Sequence, residues 1–231
     1  MSRNLSITFG LLLVLALAFG VFAIVRSVNG GGPAEAERVS AEILVRDDSH
    51  HLDEVEGADV TVVEFLDFEC PACGEMYPVM EDVREKYEGD VDFVVRYFPL
   101  PGHVNAEASA AAAEAAARQD SFEEMYKKLF ETQEEWSGAS EPTPEVFVDY
   151  AEEIGLDRDQ FVEDMNDPSI LERVNADLPD GQEAGVQGTP TIYVNGRLMS
   201  SMPSEKQLSS VIDEELEAAR EKAAEEGEGE Q

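Results

Sequence analysis

Cysteine and histidine are scarce in this sequence, with 2 cysteines and 3 histidines in 231 residues. This scarcity argues against zinc binding, because structural zinc needs four Cys or His ligands and the chain has no second Cys-X-X-Cys pair. Basic residues are also few: 16 Lys and Arg face 51 Asp and Glu, giving a formal net charge of -35. A surface of this charge repels phosphate backbones, so we predict no nucleic-acid binding.

The excess of acidic residues has two explanations. Proteins adapted to high salt use acidic, lysine-poor surfaces whose self-repulsion is screened by the salt. This explanation predicts that added salt stabilises the fold. A generally acidic set of secreted proteins is the alternative, and neither explanation defines a function.

The N-terminus carries a long apolar run, "ITFGLLLVLALAFGVFAIV", from Ile7 to Val25. Its length matches the roughly 20 residues that a helix needs to cross a bilayer. We interpret residues 1-27 as an uncleaved transmembrane anchor, and a signal peptide cleaved near Ala16-Leu17-Ala18 is the alternative. Either interpretation predicts that the rest of the chain lies outside the cytoplasmic membrane, because long following domains are translocated largely regardless of flanking charge.

Three further segments follow the apolar run. Residues 28-38 are rich in glycine and charge, which predicts a flexible tether. Residues 39-223 are predicted to form one domain, since a chain with 43% hydrophobic residues can bury a core of that size. The acidic residues 224-231 are predicted to be a disordered tail.

Hydrophobic periodicity predicts an α/β domain. Two segments rich in β-branched and aromatic residues, Asp59 to Phe68 and Val91 to Leu100, have the composition of buried strands. The segment between them, from Pro71 to about Tyr87, has apolar residues at helical spacing. Two strands joined by such a helix form a βαβ unit with a parallel pair.

The second half of the domain starts with a block of helices, from about residue 103 to 184. Strand character returns from Gly188 to Ser200, where Asn195-Gly196 is a strong hairpin signal. A last amphipathic helix is predicted from about Ser204 to Ala223.

The two cysteines lie in the stretch "FECPAC", at positions 70 and 73. Cys70 is predicted to end a strand and Cys73 to lie one turn into the next helix, so both sulfurs meet at the helix N-terminus. Unpaired N-H groups and the helix dipole favour a thiolate there, and thiols in such places have pKa values of roughly 3.5 to 7.5. We therefore predict a redox pair in which Cys70 attacks and Cys73 resolves.

Two other uses of the pair remain open. A structural disulfide is one, although a bridge that closes so short a loop adds little stability through chain entropy. Half of a zinc site is the other, for which the only histidines are His50, His51 and His103. We expect His50 and His51 to lie on the surface and His103 to have a structural role.

Three segments, in this order, resemble the thioredoxin superfamily and, within it, the membrane-anchored or exported DsbA-like thiol-disulfide oxidoreductases. They are "VVEFLDFECPAC", "RYFPLPGHVNAEASAAAAEAAA" and "GVQGTPTIYVNG", and the resemblance runs from about Asp59 to Val211. It implies a thioredoxin fold with a helical insertion between the βαβ half and the strand that follows a cis-proline.

The resemblance also implies roles for individual residues. Cys70 corresponds to the nucleophile and Cys73 to the resolving cysteine. Pro190 corresponds to the cis-proline that faces the disulfide, with Thr189 offering backbone groups to an extended client peptide; an ordinary trans proline is the alternative. Glu64 corresponds to a buried acid that moves protons at the second cysteine, and an exposed strand carboxylate is the alternative.

Two positions near the cysteines need separate comment. Asp67 alternates to the face opposite Glu64, and we expect it to be solvated, although related family members often place an acid there. Strongly oxidising members of the family commonly have a histidine between the cysteines, whereas Ala72 has no side-chain donor. The motif by itself therefore leaves the oxidising power open.

The function implied by the resemblance is dithiol-disulfide exchange that introduces disulfides into secreted or cell-envelope proteins, with no metal or organic cofactor. The implied partners are reduced exported clients and a quinone-linked integral membrane protein that reoxidises the enzyme. A thiol reductase or disulfide isomerase of the same compartment is one alternative. A redox-inactive peptide-binding chaperone is another.

Overall fold

The structure, a computed structural model, describes residues 38–200 and 202–229. The anchor predicted for residues 1-27 and the tether predicted for residues 28-38, apart from residue 38, lie outside these residues. Among the described residues, no helix is both long and apolar enough to cross a membrane. In chain order the described elements are α1 (Ala41–Leu44), β1 (His50–Asp53), β2 (Val60–Leu66), α2 (Pro71–Lys86), β3 (Val91–Tyr97), α3 (Ala106–Ala117), α4 (Phe122–Glu131), α5 (Gln133–Trp136), α6 (Pro144–Glu153), α7 (Arg158–Met165), α8 (Pro168–Ala184), β4 (Thr191–Val194), β5 (Arg197–Leu198) and α9 (Glu205–Gly229).

The described strands form one sheet in the order β1-β3-β2-β4-β5. Strands β2 and β3 run parallel and are joined by α2, which confirms the predicted βαβ unit. Both strands are almost continuously buried, because they lie inside the sheet with elements packed on each face. The other neighbours, β1 with β3, β2 with β4, and β4 with β5, are antiparallel.

Strands β4 and β5 form the predicted hairpin. Asn195 and Gly196 have φ values of 46° and 79°, the left-handed pair that a tight two-residue hairpin turn requires. Gly196 is also confined by its neighbour, because a Cβ atom there would lie 2.2 Å from the carbonyl oxygen of Val39. Glycine at this position thus lets the start of the described chain pack against the hairpin.

Helices α3 to α8 are inserted between β3 and β4, as predicted. The last of them runs from Pro168 to Ala184 and has a capping residue at each end. The Asp167 side chain accepts a hydrogen bond from the Ser169 backbone N-H, and Gly185 leaves the helix with a φ of 92°. The α/β class with a helical insertion before the β4 strand is therefore confirmed.

Several boundaries differ from the prediction. Strand β3 ends at Tyr97 instead of Leu100, and neither α1 nor β1 was predicted. Helix α9 continues to Gly229, so the prediction that disorder starts at residue 224 is wrong for residues 224–229. Ala224, Glu225 and Glu226 are strong helix formers and continue α9 past the predicted boundary.

Candidate active site

The two cysteines lie at the junction between β2 and α2. Cys70 occupies the N-cap position of α2 with extended backbone angles, and Pro71 takes the first helical position. The carbonyl oxygen of Cys70 accepts hydrogen bonds from the N-H groups of Cys73 (3.0 Å) and Gly74 (3.1 Å). Both cysteines are free thiols in this structure. Cys70 is 6% exposed and Cys73 is 0% exposed, so only Cys70 is accessible to another molecule.

The surroundings of the two thiols separate their acidities. The pKa of Cys70 is lowered to about 5, chiefly by a hydrogen bond from the Cys73 side chain, while burial opposes this effect. The Thr189 side chain and the N-H groups of Cys73 and Ala72 lower the Cys70 pKa further. The pKa of Cys73 is raised well above its ordinary value by burial and then by the Cys70 thiolate. At neutral pH the pair thus holds one thiolate, at Cys70, and one proton, at Cys73.

The loop before β4 faces Cys70. The peptide bond between Thr189 and Pro190 is cis, as the resemblance implied. The Cys70 Sγ atom lies 3.4 Å from the Thr189 carbonyl oxygen. The Thr189 hydroxyl is buried and has no hydrogen-bond partner within the described part of the chain, so it can donate to a thiolate at Cys70. Backbone groups of this loop are therefore next to the reacting sulfur.

Glu64 is buried in β2, with 4% of its surface exposed, so the alternative of an exposed carboxylate is wrong. Burial raises the pKa of Glu64 to about 8, with smaller contributions from the charges of Glu81 and Cys70. The charge of Glu64 in turn raises the pKa of Cys73. A cavity of about 10 Å³, the size of one water, borders Glu64 and Met80. An acid with this pKa can exchange protons near neutrality, and its role at Cys73 stays a prediction.

Asp67 is buried, contrary to the expectation that it is solvated. Its side chain is 0% exposed and accepts three hydrogen bonds, from the N-H groups of Glu69 and Leu100 at 2.9 Å each and from His103 Nδ1 at 2.6 Å. Burial raises the pKa of Asp67, and the bonds from Leu100 and His103 oppose this. His103 therefore does bridge β2 to the start of the insertion, as its predicted structural role required.

Glu69, the residue before Cys70, was missed by the sequence analysis. It is 4% exposed, and its carboxylate accepts backbone hydrogen bonds from Asn105 (2.5 Å) and Gly138 (3.1 Å). The Asn105 side chain donates to the Trp136 carbonyl and accepts from the Thr143 N-H. The carboxylate of Glu69 thus fastens the active-site turn to the helical insertion.

Gln133, from the short helix α5, was also missed. Its Nε2 donates to the carbonyl oxygens of Phe68 (2.7 Å) and Cys70 (2.9 Å). Gly74 makes room for this side chain, because a Cβ atom there would lie 2.2 Å from Gln133 Oε1. The side-chain amide of Gln133 therefore binds the carbonyl oxygens of the residues on both sides of Glu69.

His50 and His51 are half-buried in β1, so the expectation that they lie on the surface is wrong. His50 Nε2 lies 2.6 Å from Glu114 Oε1, and its ring stacks on Phe122 with 3.9 Å between centroids. His51 Nδ1 lies 2.7 Å from Asp92 Oδ1. Within residues 38–200 and 202–229, no three His, Cys, Asp or Glu side chains form a group that could hold a metal ion.

Fold and site together define a thioredoxin-fold protein with a DsbA-like helical insertion and a cysteine pair that faces a cis-proline. The sequence profile of the family described as Thioredoxin matches residues 55–214. The chain belongs to the thioredoxin family.

Solved structures agree with this assignment. A thioredoxin-like oxidoreductase from Silicibacter pomeroyi is 25% identical with a TM-score of 0.65, and the match covers 76% of this chain and 97% of that one. BdbD from Bacillus subtilis is 27% identical with a TM-score of 0.66, covering 73% and 93%. The alpha-DsbA1 of Wolbachia pipientis shares the fold, with a TM-score of 0.71 at 19% identity over 80% of this chain and 100% of that one.

Curated relatives of similar sequence are named Na(+)/H(+) antiporter NhaA. The relative from Herminiimonas arsenicoxydans is 32% identical over 71% of this chain, and one from Salinispora tropica is 36% identical over 77%. These matches cover only 25% and 26% of the relatives' own lengths. The chain thus spans about a quarter of each of these relatives, and antiport is the activity for which those longer proteins are named.

The low pKa of Cys70 gives a direct prediction for the reduced protein. Absorbance at 240 nm, which reports thiolate, should rise with pH around a midpoint near 5, since the pKa of Cys70 is lowered to about 5. Cys70→Ser should remove this transition, while Cys73→Ala should raise its midpoint by removing the largest stabilising hydrogen bond. A midpoint of 8 or above in the wild-type protein would contradict the arrangement of donors described above.

Proposed function

We propose that this protein is an exported thiol-disulfide oxidoreductase that introduces disulfides into secreted or cell-envelope proteins. The observation that carries the proposal is the position of Cys70, an accessible sulfur at a helix N-terminus, 3.4 Å from the Thr189 carbonyl and beside a fully buried partner thiol. The thioredoxin fold and family support thiol-disulfide oxidoreductase activity in general. The alternatives are a reductase or isomerase and a redox-inactive peptide-binding chaperone.

The proposed reaction starts from the oxidised protein. A client thiolate attacks Cys70 Sγ, a client-Cys70 disulfide forms, and the Cys70-Cys73 bond breaks. The electron pair of that bond goes to Cys73 Sγ, which takes a proton because its pKa is raised well above the ordinary value. Glu64, with a pKa of about 8, is the proposed source of this proton.

A second client thiolate completes the reaction. It attacks the client sulfur of the mixed disulfide, the client disulfide forms, and Cys70 leaves as a thiolate. Two electrons have then passed from the client to the protein. The low pKa of Cys70 supports this direction, since a thiol of low pKa is a good leaving group and a stabilised reduced state makes the disulfide a strong oxidant.

The compartment and the partners are part of the same proposal. The apolar run from Ile7 to Val25 would hold the domain outside the cytoplasmic membrane, as an anchor or as a signal that is later cleaved. Reduced exported proteins would be the clients. The two electrons would then pass to a quinone-linked integral membrane protein, which is the partner that the family resemblance implies.

The reduction potential of the cysteine pair tests the direction of the reaction. The purified protein is equilibrated with glutathione buffers at low and high salt, and the oxidised fraction is measured by thiol labelling. We expect a potential near about -120 mV, the value of a strong disulfide donor. A potential near about -270 mV, typical of thioredoxin, would instead make the protein a reductase and overturn the proposal.

A further inference from the structure

The dipeptide between the cysteines offers no side-chain donor to the thiolate, since it consists of Pro71 and Ala72. A thiolate is favoured by a nearby positive charge. The loop after β3 brings an imidazole, that of His103, to the turn that carries Cys70. The way this imidazole is held decides whether it can act on the sulfur.

His103 is bound to a carboxylate that is itself part of the active-site turn. His103 Nδ1 lies 2.6 Å from Asp67 Oδ2. The other carboxylate oxygen, Oδ1, accepts the Glu69 N-H, and the Asp67 carbonyl oxygen accepts the Cys70 N-H at 3.0 Å. Two hydrogen bonds thus fix Asp67 within the turn that carries Cys70. The imidazole bound to it has a fixed position relative to Cys70.

The groups that face His103 are acidic. Asp67, Cys70 and Glu69 each raise the pKa of His103, and together they outweigh burial, which lowers it. Its side chain is 28% exposed, so solvent can deliver and remove the proton. His103 therefore keeps its positive charge to a higher pH than a free imidazole would, within the range in which Cys70 is already a thiolate.

We propose that His103, held by Asp67, is a positioning residue that stabilises the Cys70 thiolate with its positive charge and so replaces the donor missing between the cysteines. This effect would help to determine the oxidising power, and in that respect it rests on the proposed function. The stabilisation of the thiolate itself is independent of any client.

The buried carboxylate of Asp67 determines in which direction each substitution changes the stability of the Cys70 thiolate. Neutralising His103 removes a cation near the sulfur and also exposes Cys70 to the uncompensated charge of Asp67, and both effects disfavour the thiolate. Neutralising both residues removes charges of opposite sign, whose effects on the sulfur largely cancel. The double variant should therefore lie closer to the wild-type protein than the single His103 variant does.

The experiment follows thiolate absorbance against pH in the full-length reduced protein, with Cys70→Ser as the baseline. In His103→Asn an amide replaces the donating Nδ1, and the midpoint should rise by about one pH unit, which makes the thiolate about tenfold less stable. The double variant Asp67→Asn/His103→Asn should have a midpoint close to that of the wild-type protein. His51→Asn is the matched control, because His51 also lies 2.7 Å from a carboxylate, that of Asp92, but belongs to strand β1 and not to the active-site turn. The midpoint of the His51→Asn protein should equal that of the wild type.

The glutathione equilibrium provides a second readout. His103→Asn should lower the oxidising power of the disulfide by about tenfold in the equilibrium constant, if the thiolate shift is about one unit. An unchanged midpoint in a folded His103→Asn protein would overturn the inference and leave His103 a purely structural role. If the wild-type protein proves to be a reductase while His103→Asn still raises the midpoint, the inference stands and only the proposed direction fails.

Discussion

Replacing Cys73 with serine is expected to trap the protein as a mixed disulfide at Cys70. A peptide with one cysteine, supplied as its symmetric disulfide, is attacked by the Cys70 thiolate, which forms a Cys70-peptide disulfide and releases one peptide thiolate. In the wild-type protein the Cys73 thiol then attacks Cys70 Sγ and releases the second peptide. Without that thiol, no buried group of the protein can displace the peptide, and the adduct persists.

The matched variant Cys70→Ser is expected to form no adduct and to exchange disulfides only at the uncatalysed rate. Cys73 cannot replace the lost thiol, because it is 0% exposed and its pKa is raised well above the ordinary value. Intact-mass spectrometry before and after reduction measures the adduct in both variants. An adduct in Cys70→Ser but none in Cys73→Ser would reverse the two assigned roles.

The same two variants distinguish the chaperone alternative. A peptide-binding chaperone that uses the loop at Thr189 and Pro190 would keep its affinity for a cysteine-free peptide in both variants and would exchange no disulfides in the wild-type protein. An oxidoreductase loses its activity in Cys70→Ser. Peptide affinity and exchange rate, measured on the same samples, therefore distinguish a chaperone from an oxidoreductase.

The parts of the fold that the sequence predicted are those that depend on local chemistry. Strand periodicity located β2 and β3, and the change to helical periodicity located the insertion between β3 and β4. Asn195-Gly196 predicted the hairpin because the left-handed backbone at both positions suits these two residues. The redox pair followed from two cysteines at a predicted helix N-terminus, whereas the role of Pro190 came from the family resemblance, which no periodicity would have supplied.

The parts that the sequence did not predict depend on partners far along the chain. Strand β1 has one buried apolar residue, Leu52, and forms only because β3 offers it an edge. Asp67 and Glu69 look like exposed acids in the sequence, and they are buried because backbone N-H groups of the insertion meet their carboxylates. Hydrogen-bond partners 33 to 36 positions away leave no local pattern.

A substitution of Arg96 is expected to cause the largest loss of stability outside the active site. Arg96 is 0% exposed in β3, and its guanidinium reaches two acids of α8, with Nε 2.9 Å from Asp177 and Nη2 2.7 Å from Asp180. Nη1 also donates to the carbonyl oxygens of Ile43 (3.1 Å) and Leu44 (2.5 Å) in α1. One side chain thus connects the sheet, the insertion and the N-terminal helix.

Arg96→Met should lower the free energy of unfolding by about 3 to 5 kcal/mol, the usual cost of removing one partner from a buried ion pair. The loss is this large because Asp177 is also 0% exposed and, within the part of the chain that the structure describes, retains only Arg173 and the Tyr97 N-H as partners. Urea unfolding at fixed salt measures the effect, and an unchanged dependence on urea concentration would show that the native and unfolded states expose the same surface as before.

Two companion variants show whether buried charge is the cause. Arg197→Met removes an arginine whose pair with Glu214 is exposed, so it should cost less than about 1 kcal/mol. Arg96→Met/Asp177→Asn removes the buried charge as well but keeps an acceptor for the Tyr97 N-H, so it should be more stable than Arg96→Met alone. If the double variant is instead no more stable than Arg96→Met, the buried charge of Asp177 is not the cause, and lost packing of Arg96 accounts for the instability.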